Sequence, residues 1–107
     1  MFSLLKKWQT MERIGSWTYD VKNRHLVSGD FSVRLTKKES GILYCLYQKR
    51  GELVPREALL LEVWGKADYY TGRCMDVYMC KLRKILSRDA SVMIHSVRGL
   101  GYKLTLN

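Results

Sequence analysis

The segment SVRGLGYKL, residues 96–104, combines arginine with two glycines near the end of the chain. Glycine adopts positive φ at little steric cost, so Gly99 and Gly101 predict a tight turn between two antiparallel strands. From Tyr102 to Leu106 apolar and polar residues alternate, the period of a strand with one face on a core. Arg98 is therefore expected at the exposed tip of a hairpin, where a guanidinium can enter a narrow, electronegative minor groove.

A second group of reactive side chains lies in RCMDVYMCKLRKILSR, residues 73–88, where apolar residues recur at the period of an amphipathic helix. One stripe is expected to face the core and contains Met75, Met79, Leu82 and Leu86. The opposite side mixes positive charge with small apolar groups, which suits phosphates, guanine edges and thymine methyl groups in a major groove. Its members are Arg73, Val77, Cys80, Lys81 and Lys84, with Asp76 and Arg83 on one shoulder. The alternative is a solvated helix face that is basic without a ligand.

Charge supports a polyanionic partner. The 107 residues include 19 Lys and Arg against 10 Asp and Glu, a formal net charge of +9. Residues 73–107 alone hold seven basic and two acidic residues. The length and the hydrophobic content of 47% predict one globular domain. The absence of a signal-peptide pattern or a long apolar run, together with an odd number of cysteines, favours the reducing cytoplasm and no membrane attachment.

The elements that must position these side chains change period along the chain. Residues 12–35 are broken by turn residues into four short strands of an antiparallel meander. Thr36 and Glu39 form a T-x-x-E capping box that predicts a first helix of about fifteen residues. Pro55 and Gly65 delimit a second helix, for which Ala58, Leu59, Leu61, Val63 and Trp64 supply the apolar bulk. The glycine-bounded segment 65–72 is predicted to be a loop before the third helix.

These motifs resemble a known family. L-T-x-x-E, R-E-x-L, V-W-G, D-V, L-R-K and V-R-G-x-G-Y, in that order over about residues 12–106, are similar to the winged-helix DNA-binding domain of OmpR/PhoB-type response regulators. The resemblance implies an α+β fold with a four-stranded N-terminal antiparallel sheet, a three-helix core and a C-terminal β-hairpin wing. It also implies sequence-specific binding of double-stranded DNA by the effector domain of a two-component regulator that controls transcription, without enzymatic activity, cofactor or metal.

The same resemblance implies roles for individual residues and partners. Residues expected to face the groove or phosphates are Arg73, Val77, Cys80, Lys81 and Arg83; Arg98 is the wing contact, and Arg56, Ser96 and Tyr102 are candidates for phosphate. Such domains usually bind tandem half-sites as head-to-tail dimers, and in relatives the loop 65–72 can touch RNA polymerase. A sensor kinase would act only through a receiver domain absent from this chain. Residues 1–11 are interpreted as a linker or the tail of that missing domain, and 12–107 as the winged-helix domain.

Three positions depart from the family pattern. Cys80 stands where a polar or basic residue is more usual, and Met79 replaces a branched aliphatic residue, so base preference does not transfer from relatives. Pro55 replaces the usual serine and removes a side-chain acceptor for the second helix.

Other chemistry finds less support in the sequence. His25 and His95 have no cysteine or carboxylate at a spacing that suggests a nucleophile and base. Ser96 and His95 are neighbours on a strand, so their side chains point to opposite faces. Cys74 and Cys80 lack a zinc-ligand spacing, although Cys80 beside two lysines leaves oxidation open. RNA binding is disfavoured by the lack of an aromatic platform on the outer helix face. A protein-interaction module with incidental charge also remains open.

Overall fold

The computed structural model describes residues 11–107, so the interpretation of residues 1–11 as a linker lies outside it except for Met11. The N-terminal sheet is an antiparallel meander in the order β1-β2-β3-β4. Its strands are β1 (Met11–Ile14), β2 (Trp17–Asp20), β3 (His25–Ser28) and β4 (Phe31–Arg34). Three helices follow: α1 (Lys37–Gln48), α2 (Arg56–Trp64) and α3 (Tyr69–Leu86). The second sheet has the order β5-β7-β6 and contains β5 (Val54–Pro55), β6 (Val92–Val97) and β7 (Gly101–Leu106).

This arrangement confirms the predicted α+β class: a four-stranded sheet, three helices and a C-terminal hairpin. The core lies where the N-terminal sheet, the helices and the hairpin meet, and Trp17, Leu43 and Leu104 are fully buried in it. Within residues 11–107, no helix has the length and apolar character needed to cross a membrane.

The β1–β2 turn of the N-terminal sheet is tied to the connection between α3 and β6 by the side chain of Asp89. Gly15, in the β1–β2 turn, has a φ of 61°, and a Cβ there would lie 2.5 Å from the Asp89 carboxylate. That carboxylate accepts hydrogen bonds from the backbone of Ser16 at 2.7 Å and from the hydroxyl of Ser91 at 2.7 Å. These donors, led by the backbone of Ser16, hold the pKa of Asp89 well below its ordinary value.

Helix α1 begins as predicted. The Thr36 hydroxyl accepts from the backbone of Glu39 at 3.2 Å, and the Glu39 carboxylate accepts from the backbone of Thr36 at 2.8 Å. The helix has 12 residues, fewer than the predicted fifteen. Its C-cap is Lys49, whose backbone is no longer helical and whose N–H donates to carbonyls of the last turn. The chain then reaches Gly51 through a turn.

Helix α2 lies between Pro55 and Gly65 as predicted, and Pro55 provides no side-chain cap. The residues expected to supply its apolar bulk are only partly buried. Leu59 and Leu60 are buried, whereas Leu61 is 49% exposed. Three consecutive leucines leave the orientation of a short helix ambiguous, because only the packing partners decide which two lie inside.

Helix α3 begins at Tyr69, so the prediction of a loop through residue 72 was wrong. Asp68 caps the helix: its carboxylate accepts from the backbone of Thr71 at 2.8 Å, and the Thr71 hydroxyl accepts from the backbone of Asp68 at 2.9 Å. Gly72 is therefore helical and buried. Its lack of a side chain leaves space for the Arg56 guanidinium, which would lie 3.0 Å from an added Cβ.

The hairpin formed by β6 and β7 is the predicted wing, but its two glycines serve different purposes. Gly99 has a φ of 78°, as a tight turn requires. Gly101 was also expected to provide positive φ, and that expectation was wrong. A Cβ on Gly101 would lie 2.1 Å from the carbonyl oxygen of Val54, so glycine is needed there to let β5 approach β7.

Candidate nucleic-acid interface

Helix α3 separates its apolar and basic residues onto two sides. Met75, Met79, Leu82 and Leu86 are buried, and Tyr78 and Ile85 flank them at intermediate exposure. The other side, called the outer face below, is exposed throughout and consists of Arg73, Val77, Cys80, Lys81 and Lys84. The predicted orientation of this helix is confirmed.

The outer face keeps its positive charge. Ion pairs within residues 11–107 join Arg56 to Asp76 at 2.9 Å and Lys66 to Asp68 at 3.7 Å, and neither involves the outer face. Val77 is 55% exposed among these cations. Arg73 and the two lysines are therefore available for phosphates or base edges, while Val77 and Cys80 offer small contact groups of low polarity.

Arg98 lies in the exposed turn of the wing, residues 98–100. The backbone N–H of Arg56, at the start of α2, donates to the carbonyl of Leu100 at 3.1 Å. Gly99 and Leu100 also border a surface depression together with Ala67 and Asp68, which immediately precede α3. The wing turn is thus held next to the N-terminal end of the helix that carries the outer face.

Arg56 joins three elements rather than projecting freely. Its guanidinium donates to Asp76 on α3 at 2.9 Å, to the Tyr102 hydroxyl on β7 at 2.9 Å and to the Gly72 carbonyl at 3.0 Å. The hydrogen bond to Asp76 is the largest cause of a raised pKa for Arg56. This side chain neutralises Asp76 and fixes α3 against the wing, and its contact with phosphate stays a prediction.

Arg83 also lies at the contact between α3 and the wing. Its guanidinium donates to the carbonyl of Ile94 on β6 at 2.9 Å and lies 6.0 Å from the centre of the Tyr102 ring. Its predicted place on one shoulder of the helix agrees with this position. Arg56, Arg83 and Tyr102 together are called the junction below. The predicted roles of Arg83 and the buried Tyr102 toward DNA stay predictions.

Ser96 is exposed on β6, where it pairs in register with Tyr102. Its neighbour His95 hydrogen-bonds the Thr105 hydroxyl at 2.8 Å across the wing. The Ser96 side chain is therefore at the surface and does not take part in the His95–Thr105 hydrogen bond. Its contact with phosphate stays a prediction.

Two exposed aromatic residues beside the outer face were not predicted from the sequence. Tyr69 and Tyr70 are 72% and 77% exposed and pack edge to face at 5.7 Å. The Arg73 guanidinium lies 6.0 Å from the Tyr69 ring, so these tyrosines adjoin the outer face. The D-x-x-T sequence at residues 68–71 could have indicated that a helix starts at Tyr69. Threonine is unusual at the N3 position of a capping box, where Glu or Gln is typical.

The cysteines are free thiols within the described part of the chain. Cys74 and Cys80 are exposed, and Cys45 is half-buried. Burial is the main cause of a raised pKa for the Cys45 thiol, which disfavours its thiolate. No group of three or more metal-binding side chains occurs in residues 11–107.

A three-helix core with a basic third helix and a hairpin held against it defines a winged-helix DNA-binding domain. Residues 30–104 match the model of the family described as "Transcriptional regulatory protein, C terminal", and the chain belongs to that family, the DNA-binding domains of OmpR/PhoB-type response regulators. The resemblance stated from the sequence motifs is thereby confirmed.

Relatives and solved structures agree with this assignment. The transcriptional regulatory protein RprY of Bacteroides fragilis is 39% identical over 98 residues, which cover 92% of this chain and 42% of RprY. The chain therefore spans about two fifths of the length of that relative. The Klebsiella pneumoniae RstA DNA-binding domain, solved with the RstA box, has a TM-score of 0.75 and 30% identity over 91% of this chain and 98% of its own. The DNA-binding domain of Escherichia coli CadC has a TM-score of 0.80 and 25% identity, covering 92% and 94%.

Proposed function

We propose that the domain binds a specific duplex DNA sequence with the outer face of α3 in the major groove and Arg98 in the adjacent minor groove. The observation that carries this proposal is the cationic outer face, which is exposed and forms no ion pair within residues 11–107, on a helix whose N-terminal end lies next to the wing turn. A helix of this width fits the major groove of B-form DNA. The RstA DNA-binding domain, 30% identical to this chain, was solved in complex with the RstA box, which supports DNA binding by this domain.

The chemistry of each residue suggests its role. Lys81 contacts guanine or phosphate, and Val77 and Cys80 contact thymine methyl groups. Arg73 and Lys84 bind phosphate, which fixes orientation without specifying sequence. Ser96 is a further candidate for phosphate at the surface of the wing. Arg56, Arg83 and Tyr102 bind phosphate only through N–H or O–H groups that do not already donate a hydrogen bond within the domain.

For the complete regulator we propose the partners that family membership suggests. Two copies bind tandem half-sites head to tail, and a receiver domain of the complete regulator links this domain to a sensor kinase. RNA polymerase is contacted through residues 65–72, of which 65–70 are exposed, and Tyr69 and Tyr70 in the first turn of α3 supply its aromatic surface. The regulator acts on chromosomal DNA in the cytoplasm, and no catalytic step is assigned to this domain.

Selection of bound sequences from a random duplex pool, followed by anisotropy titration over a range of salt concentrations, tests this function. We expect an enriched half-site, and a log affinity that falls linearly with log salt. About four to seven phosphate contacts predict a slope of about −4 to −6. A flat salt response with no enriched sequence would contradict the proposal and favour the protein-interaction module.

RNA binding is the second candidate, because Tyr69 and Tyr70 supply exposed aromatic rings beside the outer face. Stacking on aromatic rings is typical of single-stranded RNA recognition. Competition of labelled duplex DNA with single-stranded RNA separates the candidates. Duplex binding predicts that RNA displaces the probe poorly, and efficient displacement at equal nucleotide concentration supports the RNA alternative.

A further inference from the structure

A second group of cations lies on the N-terminal sheet and at the start of α1. It comprises Lys22, Arg24, Arg34, Lys37 and Lys38 and is called the sheet strip below. The fold brings these distant residues together, because the backbone N–H of Leu35 donates to the carbonyl of Arg24 at 2.7 Å. Lys22, Arg24, Lys37 and Lys38 border one surface depression.

The charge of the sheet strip is not balanced by ion pairs with the described residues. Both ion pairs within residues 11–107 lie elsewhere. Glu39 is buried and occupied by the capping box of α1, and Glu62 is the one acidic residue bordering the depression. Lys38 donates to the carbonyl of Val63 at 3.0 Å, a contact that leaves its charge in place. The strip is therefore a strongly positive surface.

Arg24 has an unusual conformation for its residue type. Its φ is 55°, and it is the only non-glycine residue with positive φ in the described part of the chain. Asparagine or glycine would adopt this conformation with less strain. The Nε atom of Arg24 is also buried without a hydrogen-bond partner within residues 11–107. Backbone strain and an unpaired Nε–H in the same residue indicate that Arg24 has a use that local stability does not explain.

The sheet strip is continuous with the outer face of α3. Arg34 borders one depression together with Lys81 and Lys84 of the outer face, and Arg88 adds a further cation to its rim. Arg34 also borders a depression with Asn23, in the β2–β3 turn next to Arg24, and with His25, the first residue of β3. Positive charge thus runs from α3 across β4 to the β2–β3 turn. A duplex, with its regular phosphates, is an anion long enough to follow such a path.

We infer that the sheet strip binds the phosphodiester backbone of duplex DNA flanking the half-site contacted by α3 and the wing. This inference rests on the proposed function. The inference adds a requirement for duplex length, because a duplex that ends at the half-site cannot reach the strip. Phosphate contacts of this kind raise affinity for all flanking sequences equally.

The test compares a short duplex of about one helical turn, about 10 bp, with the same half-site extended by about one turn on each side. Anisotropy titrations at several salt concentrations use the unmodified chain and the variant K22Q/K37Q. The control R13Q/K49Q removes the same charge from exposed residues, one of them on β1 at the opposite edge of the sheet from β4. We expect K22Q/K37Q to reduce the steepness of the salt slope by about 2 on the long duplex and by nothing on the short one.

The variant Arg24→Asn supplies a second readout. Asparagine tolerates positive φ, so thermal stability should be kept or increased while affinity for the long duplex falls. Lower stability with unchanged affinity would show that Arg24 is structural and would overturn its part in the strip.

The outcomes separate this inference from the proposed function. Equal losses on both duplexes would overturn it by placing the two lysines inside the half-site contact. The inference would also be overturned if K22Q/K37Q lost no affinity on either duplex, or if the R13Q/K49Q control showed the same loss. The absence of any loss would leave an acidic protein surface as the partner of the strip. Failure of the unmodified chain to bind any duplex would instead contradict the proposed function itself.

Discussion

The outer face of α3 and the junction at its other side both contain arginine, but they use it differently. Arg73 on the outer face is exposed and forms no ion pair within the described residues. Arg56 in the junction forms hydrogen bonds with α3 and with the wing, and Arg83 bonds to a wing carbonyl. Residue type alone therefore does not distinguish a side chain that positions the interface from one that contacts DNA.

The two sides of α3 therefore have different roles. Its buried side and the junction determine where α3 and the wing lie, and the outer face is left free to bind. Substitutions on the inner side and in the junction should reduce stability, and affinity only as a consequence. Substitutions on the outer face should reduce affinity at unchanged stability.

The largest expected effect is on the buried side. Leu82 is fully buried, and Leu82→Ala should lower the free energy of unfolding by about 2 to 5 kcal/mol, through lost transfer energy and a residual cavity. Urea denaturation followed by circular dichroism measures this change. Val77→Ala, at an exposed position of the same helix, is the control and should alter stability by less than about 0.5 kcal/mol. Equal stability of the two variants would mean that the helix packs through another side.

The next effect is on binding. Lys81→Ala should weaken duplex affinity by about 1 to 3 kcal/mol while leaving the unfolding transition unchanged. If Lys81 contacts guanine, the loss is confined to sequences with that base pair; if it contacts phosphate, all duplexes lose equally and the salt slope decreases by about 1. Titration of a set of single-base variants of the half-site separates these results. Unchanged binding to every duplex would remove Lys81 from the interface.

The two predictions above concern a helix whose buried and exposed sides could be predicted from the sequence. The T-x-x-E capping box of α1 and the apolar stripe of α3 are local signals, and both agree with the structure. The start of α3 was predicted wrongly, because Gly72 is a typical loop residue and its buried place beside Arg56 is decided by tertiary packing. The junction could not be predicted for the same reason: Arg56 and Tyr102 are 46 residues apart.

A smaller effect is expected in the junction. Arg56→Ala should lower stability by about 1 kcal/mol, because the bonds that it removes are partly exposed and screened by solvent. It should also weaken DNA binding by loosening the wing. Arg56→Lys keeps the charge and cannot form the three bonds together, so it should resemble the alanine variant in thermal melting. Full stability of both variants would show that the junction does not hold the wing.

The smallest effect concerns the tip of the wing. Arg98→Ala should weaken binding by about 1 kcal/mol on half-sites with A·T-rich flanks and by less on G·C-rich flanks, since narrow A·T minor grooves carry the stronger negative potential. Paired titrations that differ only in the flanks measure it. Stability should not change, because Arg98 is exposed and makes no hydrogen bond within the described residues. Equal losses on both flanks would contradict insertion into the minor groove.

The most direct test of the central claim is a titration of the 15N-labelled chain with a duplex of about one helical turn, followed by the shifts of backbone amide resonances. Binding by the outer face and the wing predicts that the largest shifts occur together in residues 73–84 and 97–100. Shifts confined to one of these segments, or centred on β1 and β2, would contradict the arrangement on which the proposed function depends.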